Sequence, residues 1–269
     1  MKTKIVVNGS EGKTGSVLVQ VAKKDPDFEV VGCDIANGIS DMVPVPFEET
    51  RRSAIAHCDV VADFSAPEGT SDLLARCVAA KKPVVIGTTG HTSEQLGEIN
   101  IHARHIAIVK ATNFSLGVNV LFWLTRKAAK ILGPGFDLEI VETHHRMKKD
   151  APSGTAKTLF QILAGVCDQK FSEMPRPPAN SYAVYDRGSQ VGERDCSQIG
   201  IHSVRGGTVF GKHQVMFLGF GEEIVLSHEV GSRECFAKGA LLAAKWVVSD
   251  GYGAVRAPGL YNMMDVLNL

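Results

Sequence analysis

Long apolar runs are missing from this chain of 269 residues. None approaches the roughly 20 residues that a membrane-spanning helix needs. Net charge is missing too: 29 basic residues balance 29 acidic ones. No global field therefore draws the chain to nucleic acid or to an anionic bilayer. Aromatic residues make up only 7%. The six cysteines (Cys33, Cys58, Cys77, Cys167, Cys196 and Cys235) show no C-x-x-C spacing, so they read as reduced structural thiols rather than zinc ligands or a disulfide framework. Repeats and low-complexity segments are absent. The chain enters a strand directly at Lys4-Ile-Val-Val-Asn-Gly9, leaving no room for a signal peptide, and the expectation is a cytoplasmic globular protein.

What is present begins with alternation. Short β-branched runs at 5–7, 28–33, 60–64, 84–87 and 106–109 are separated by helix-period segments at 16–24, 69–80 and 93–104. Apolar strands alternating with helices predict a parallel sheet covered on both faces, a doubly wound α/β domain of the Rossmann type. After Asn113 the pattern changes. A striped helix at 118–132 stops at Gly133-Pro134-Gly135, a strand follows at 137–142, and a helix runs from about Thr155 to Val166. Residues 168–196 are polar and proline-rich and read as a long loop. Strands at 199–205, 214–218 and 224–228 predict a mostly antiparallel sheet, and helices at 234–248 and near 261–267 close the chain. The expected organisation is a dinucleotide-binding domain over residues 1–114, completed by 234–269, with an α+β domain over 115–233 inserted into it.

Gly9-Ser10-Glu11-Gly12-Lys13-Thr14-Gly15 lies between the first strand and the first helix. Glycines there let a pyrophosphate approach the backbone, and the helix N-terminus favours its charge. Asp34 ends the second strand nineteen positions after Gly15, where an acid accepts hydrogen bonds from ribose hydroxyls. The rival P-loop needs a glycine five positions before Gly12, and Val7 stands there. Asp34 would repel a 2′-phosphate and Ile35 supplies no arginine, which favours NADH, while Lys13 keeps NADPH open. Gly87-Thr88-Thr89-Gly90 and Ala111-Thr112-Asn113-Phe114 follow two further strands, at the edge where open α/β sheets bind ligands. Ordinary turn chemistry explains each of these equally well alone.

The densest chemistry is Glu142-Thr-His-His-Arg-Met-Lys-Lys-Asp-Ala-Pro-Ser-Gly-Thr155. Strand alternation sends Glu142 and His144 one way, Thr143 and His145 the other, so the histidine pair is not a natural chelate and no metal is expected. His144 has the chemistry of a proton donor near neutral pH; two satisfied structural histidines are the bland alternative. Ser153 reads as an N-cap, with amides around Gly154 to Ala156 expected to be free to hold an anion and Lys148 beside them. Arg146 and Lys149 have no assigned role, and a solvated cationic face is the alternative reading of the run.

That stretch resembles the signature of the dihydrodipicolinate reductase family (4-hydroxy-tetrahydrodipicolinate reductase). The resemblance extends through the glycine loop, Asp63-Phe-Ser-Ala-Pro-Glu-Gly-Thr70, Gly87–Gly90, Asn113-Phe-Ser-Leu-Gly117 and Met264-Asp-Val-Leu267. It implies a two-domain homotetramer built through the C-terminal domain, and hydride transfer from NADH or NADPH to a cyclic dicarboxylate in the diaminopimelate route to lysine. By motif match His144 would be the general acid and Lys148 the essential cation. His145, Ser153, Gly154 and Thr155 would hold substrate carboxylates, and Arg233 matches a further family arginine. The cofactor would meet Gly9 to Thr14, Asp34, Gly87 to Thr89 and Ala111 to Phe114. Lys13-Thr14 stands where many members carry Arg-Met, and Ala66 where some carry arginine, so nucleotide preference stays open. Two other readings are an aldehyde-forming dehydrogenase with a nucleophilic cysteine, and an NAD(H)-sensing module without chemistry.

Overall fold

Apolar strands that bury both faces organise the first part of the computed structural model, which describes residues 2–34, 38–39, 47–170, 182–188, 192–249 and 251–269. In chain order the elements are β1 (Thr3–Asn8), α1 (Gly15–Lys24), β2 (Phe28–Asp34), β3 (Gly38–Ile39), α2 (Phe47–His57), β4 (Val60–Asp63), α3 (Pro67–Ala79), β5 (Val84–Ile86), α4 (Ser93–His102) and β6 (Ala107–Lys110). There follow α5 (Leu116–Leu132), a 3-10 turn at Gly133–Gly135, β7 (Asp137–His144), α6 (Gly154–Lys170), β8 (Ala183–Val184), β9 (Ile199–Arg205), β10 (Gly211–Gly219) and β11 (Glu222–Val230). Last come α7 (Glu234–Val248), β12 (Gly259–Tyr261) and α8 (Met263–Leu267). Two compact units result: Met1–Leu116 with Arg233–Leu269, and Gly117–Ser232.

The first unit carries a seven-stranded sheet in the order β12-β6-β5-β4-β1-β2-β3. Every pairing is parallel except that of the short β3 with β2. This is the Rossmann-like, doubly wound sheet expected from the alternation. Strands β4 and β5 are buried along their whole length, as a sheet covered on both faces requires. Leu18 and Ala22 of α1 and Ala237, Ala240, Ala244 and Val247 of α7 pack on one face with Ile5 and Val7; Leu73, Leu74 and Ile99 pack on the other with Val6 and Ile86. Pro67 opens α3 and a Thr92–Gln95 capping box opens α4, each supplying what a helix N-terminus lacks. The strand order reverses between β1 and β4, which puts the carboxyl ends of these strands at the switch point where such sheets bind ligands.

In the second unit, β11-β10-β7-β9-β8 form a five-stranded sheet. The expectation of a mostly antiparallel sheet is corrected here: β7 pairs parallel with β9 and β9 with β8, while only β10 pairs antiparallel with β7 and β11. The crossover through α6 between β7 and β9 is the physical reason, because such a return brings the chain back in its original direction. The expected loop at 168–196 also contains the end of α6 and the strand β8; residues 171–181 and 189–191 of it lie outside the described residues, as does Ile35. Helix α2 was not foreseen. Its sequence, Phe-Glu-Glu-Thr-Arg-Arg-Ser-Ala-Ile-Ala-His, is mostly polar and shows little apolar stripe.

Candidate functional site

At the switch point of the first unit the glycine loop closes tightly. Gly9 has φ +80°, and a Cβ there would stand 2.6 Å from the Phe64 carbonyl oxygen. A Cβ on Gly15 would fall 2.0 Å from the Gly9 carbonyl oxygen. The Gly12 N–H donates to that same carbonyl at 3.0 Å. Ser10 is buried, while Glu11, Gly12 and Lys13 are exposed and Thr14 is half-buried. The loop is thereby drawn against β4 and leads into the α1 N-terminus, where the Ser16 and Leu18 N–H groups donate to the Gly12 and Thr14 carbonyls at 2.9 Å. A glycine loop at a helix start, closed too tightly for side chains at 9 and 15, fits the close backbone approach of a dinucleotide pyrophosphate. Asp34 ends β2.

One residue outside the expected set organises this edge. The buried Asp63 carboxylate accepts from Asn8 Nδ2 (2.8 Å), Ser65 Oγ (2.6 Å) and Thr70 Oγ1 (2.9 Å). Its backbone carbonyl accepts from the N–H groups of Gly87 (2.8 Å) and Thr88 (3.1 Å). Asp63 thus joins three loops, 8–9, 64–70 and 87–88. A carboxylate ending the otherwise apolar strand Val-Val-Ala-Asp was the signal for it. Gly87 admits the Phe64 ring, which a Cβ would meet at 2.1 Å, and Phe64 lies 5.8 Å from the Phe114 ring centre. Thr88 is buried and Thr89 exposed; Ala111 donates to Ile86 O at 3.2 Å; Thr112 is exposed; and Asn113 Oδ1 accepts the Ser115 N–H at 2.9 Å. The predicted residues of loops 9–14, 87–89 and 111–114 thus all stand at the carboxyl edge of the sheet.

In the second unit the alternation along β7 points Leu138, Ile140, Glu142 and His144 into the covered face. Glu142 is fully buried and His144 nearly so. His144 Nδ1 lies 2.5 Å from Glu142 Oε2. Arg205, beside His144 on β9, grips the same carboxylate with both terminal nitrogens, at 2.8 and 2.7 Å. The Ser153 N–H donates to Glu142 Oε1 at 3.1 Å. Burial alone would raise the Glu142 pKa, but the hydrogen bonds from His144, Arg205, Ser203 and Ser153 outweigh it and hold the carboxyl well below its usual range. Glu142 is therefore a permanent anion under the site.

The first turn of α6 adjoins this pair. Ser153 Oγ accepts the Ala156 N–H at 3.3 Å and lies 3.0 Å from His213 Nε2. The first α-helical bond runs from Lys157 N–H to the Ser153 carbonyl, so the Gly154 and Thr155 amides come before it. His213, on β10, packs edge-on to His144 with ring centres 5.1 Å apart. Burial, and then the proximity of His144, push its pKa down to about 4, which leaves it neutral at physiological pH. His145 donates its backbone N–H to Val209 O at 2.7 Å, while its buried Nδ1 has no hydrogen-bond partner among the described residues. Lys148 is paired with Asp150 at 2.8 Å, and that bond holds the Asp150 carboxyl below its usual range. Arg146 and Lys149 are exposed. Arg233 belongs to the first unit, at the N-cap of α7.

The residues that sequence reasoning gave no role are Asp63, Glu142, Arg205, His213 and Gly211. Arg205, His213 and Gly211 come from strands whose register is not written in local sequence. Among the described residues no three or more His, Cys, Asp or Glu side chains are grouped to hold a metal. Cys58 and Cys77 are buried, and burial pushes the Cys235 thiol up, the opposite of what a nucleophilic cysteine needs. No helix among the described residues is long and apolar enough to cross a membrane.

A Rossmann-like sheet with a glycine loop at its switch point, followed by a unit bearing a carboxylate-held histidine, is accompanied by likeness to NAD(P)H-dependent oxidoreductases, the class to which this chain belongs. Residues 3–114 match the model of the dihydrodipicolinate reductase N-terminus, and residues 117–267 that of its C-terminus. The 4-hydroxy-tetrahydrodipicolinate reductase of Akkermansia muciniphila is 45% identical over 98% of both chains. That of Caldanaerobacter subterraneus is 41% identical over 99% of both. The solved dipicolinate-bound dihydrodipicolinate reductase of Paenisporosarcina sp. TG-14 is 25% identical, with a TM-score of 0.73, over 98% of this chain and 99% of that one. The chain belongs to the dihydrodipicolinate reductase family.

Proposed function

We propose that the protein reduces 4-hydroxy-tetrahydrodipicolinate to tetrahydrodipicolinate in the diaminopimelate route of lysine biosynthesis, with His144 as general acid. The observation that carries this reading is the juxtaposition of His144, held by Glu142, with Ser153 at the opening of α6. It sets a proton donor beside amides suited to a carboxylate. The full-length likeness to reductases of that name, and the dipicolinate carried by the Paenisporosarcina relative, support a cyclic dicarboxylate as substrate.

NADH or NADPH, when bound, supplies the hydride. Gly9, Ser10, Glu11, Gly12, Lys13 and Thr14 would hold it at the pyrophosphate, Asp34 at the ribose, and Gly87–Thr89 and Ala111–Phe114 along the sheet edge. His145, Ser153, Gly154 and Thr155 bind the substrate carboxylates, and Arg233 is a further binder. Lys148 exchanges Asp150 for the dicarboxylate and offsets its charge. Once the 4-hydroxyl has left as water, hydride addition to the resulting conjugated imine builds negative charge on the ring, and the proton on His144 Nε2 quenches it. Residues 1–114 with 234–269 serve the cofactor and 115–233 the substrate. Assembly as a homotetramer through the second unit and a cytoplasmic location complete the reading.

The experiment is His144→Gln, assayed with enzymatically generated substrate and each nicotinamide cofactor. Loss of a general acid predicts a fall in kcat of about 100-fold or more with cofactor affinity nearly kept. A wild-type rate in that variant would refute the role of His144.

A further inference from the structure

We infer that Glu142, locked by Arg205, is a positioning residue that fixes His144 as a proton donor and ties it to the carboxylate cradle of α6. The inference rests on the reading of His144 as the acid and adds the device that aims it. Contacts from His144, Arg205 and Ser153 converge on one carboxylate. Its Oε2 receives His144 Nδ1 and Arg205 Nη1; its Oε1 receives the Ser153 N–H and Arg205 Nη2. Arg205 Nη2 also donates to the Asp150 carbonyl at 2.8 Å, so the same guanidinium holds the loop that carries Lys148. Strand, loop and helix start are thereby fastened at one point.

With Nδ1 turned to Glu142, only Nε2 remains to give a proton. Space for that nitrogen is made on β10, where a Cβ on Gly211 would stand 3.0 Å from His144 Nε2. The charged and titratable groups around the imidazole are Glu142 on its own strand, Arg205 on β9, His213 on β10 with His228 paired to it on β11, and Lys148 and Asp150 in the following loop. Glu142 is the anion in direct contact with the ring. Its removal would leave the imidazolium facing Arg205 uncompensated, which disfavours the charged ring.

The test is Glu142→Gln, read as kcat and KM with the cofactor Kd measured alongside and with the conservative Glu142→Asp as a rescue. A positioning role predicts that kcat of Glu142→Gln falls at least about tenfold with the cofactor Kd retained, and that Glu142→Asp recovers part of the loss. A kcat of folded Glu142→Gln equal to the wild type, or a loss that Glu142→Asp does not relieve, would overturn the inference. Because Glu142→Gln leaves the half-buried Arg205 guanidinium without its carboxylate and can fail to fold, the wild type supplies a second reading. Nitrogen-15 NMR of histidine-labelled protein, with His144 assigned by comparison with His144→Gln, is expected to show the neutral ring protonated on Nδ1. A neutral ring protonated on Nε2 would overturn the inference. Failure of the parent reading is separate, because it shows as an undiminished rate in His144→Gln whatever the tautomer.

Discussion

Among single residues, Gly211 makes the sharpest demand on the site. A methyl group there presses on His144 Nε2 rather than on backbone, since the Cβ position is 3.0 Å from that nitrogen and 3.3 Å from Cδ2. Gly211→Ala is therefore expected to shift the ring by a few tenths of an ångström and lower kcat by about tenfold, the scale on which misplaced catalytic groups lose rate. Cofactor affinity, measured by fluorescence titration, should stay at the wild-type value; an unchanged kcat would mean that the ring has slack. The glycine loop makes a harsher demand. Gly15→Ala drives a Cβ into the Gly9 carbonyl at 2.0 Å, so cofactor binding should be lost, as the same titration would report.

Local sequence made some of these residues legible and hid others. Alternation along β7 was enough to send Glu142 and His144 to one face, and Ser153 was visible as a helix cap because capping chemistry is local. Arg205 was not legible, because its place beside His144 depends on the parallel register of β9 against β7. His213 was hidden for the same reason, being brought opposite Glu142 by the antiparallel register of β10. Lys148 was visible as a cation, but not its engagement by Asp150.

At the level of elements, β10 and the start of α6 give the second unit a pH dependence that follows from His213. Its folded pKa, about 4, lies below the ordinary histidine value of 6.5. Between those values the unfolded chain binds a proton that the folded chain refuses, so stability rises with pH. The contribution is fully present above about pH 6.5 and is lost as pH falls towards 4, on the order of 3 kcal/mol in all. Glu142, whose pKa is depressed, adds loss of the same sign below the ordinary glutamate value of 4.5. Thermal melts from pH 7 to 4 should show the midpoint falling, and His213→Gln should flatten the part between 6.5 and 4. A slope unchanged in that variant would contradict the assignment. Element types with strong periodicity were readable throughout, whereas α2, with few apolar positions, and the parallel pairing of β9, which depends on the α6 crossover, were not.

For the whole molecule, the proposed function divides the chemistry between a dinucleotide site in one unit and an acid–anion site in the other, each unit having its own sheet. Both kinds of ligand should stabilise the fold by mass action, about 2.7 kcal/mol at a hundredfold excess over Kd, and melts with NADH, NADPH and pyridine-2,6-dicarboxylate would show it. Lys13-Thr14 and Ala66 bear on which cofactor is preferred, and the most direct measurement covers both. It is the initial rate of cofactor oxidation with 4-hydroxy-tetrahydrodipicolinate generated in place by its upstream enzyme, run with NADH and with NADPH. The account predicts substrate-dependent oxidation of at least one of them, lost in His144→Gln; no oxidation of either by folded, cofactor-binding protein would contradict it.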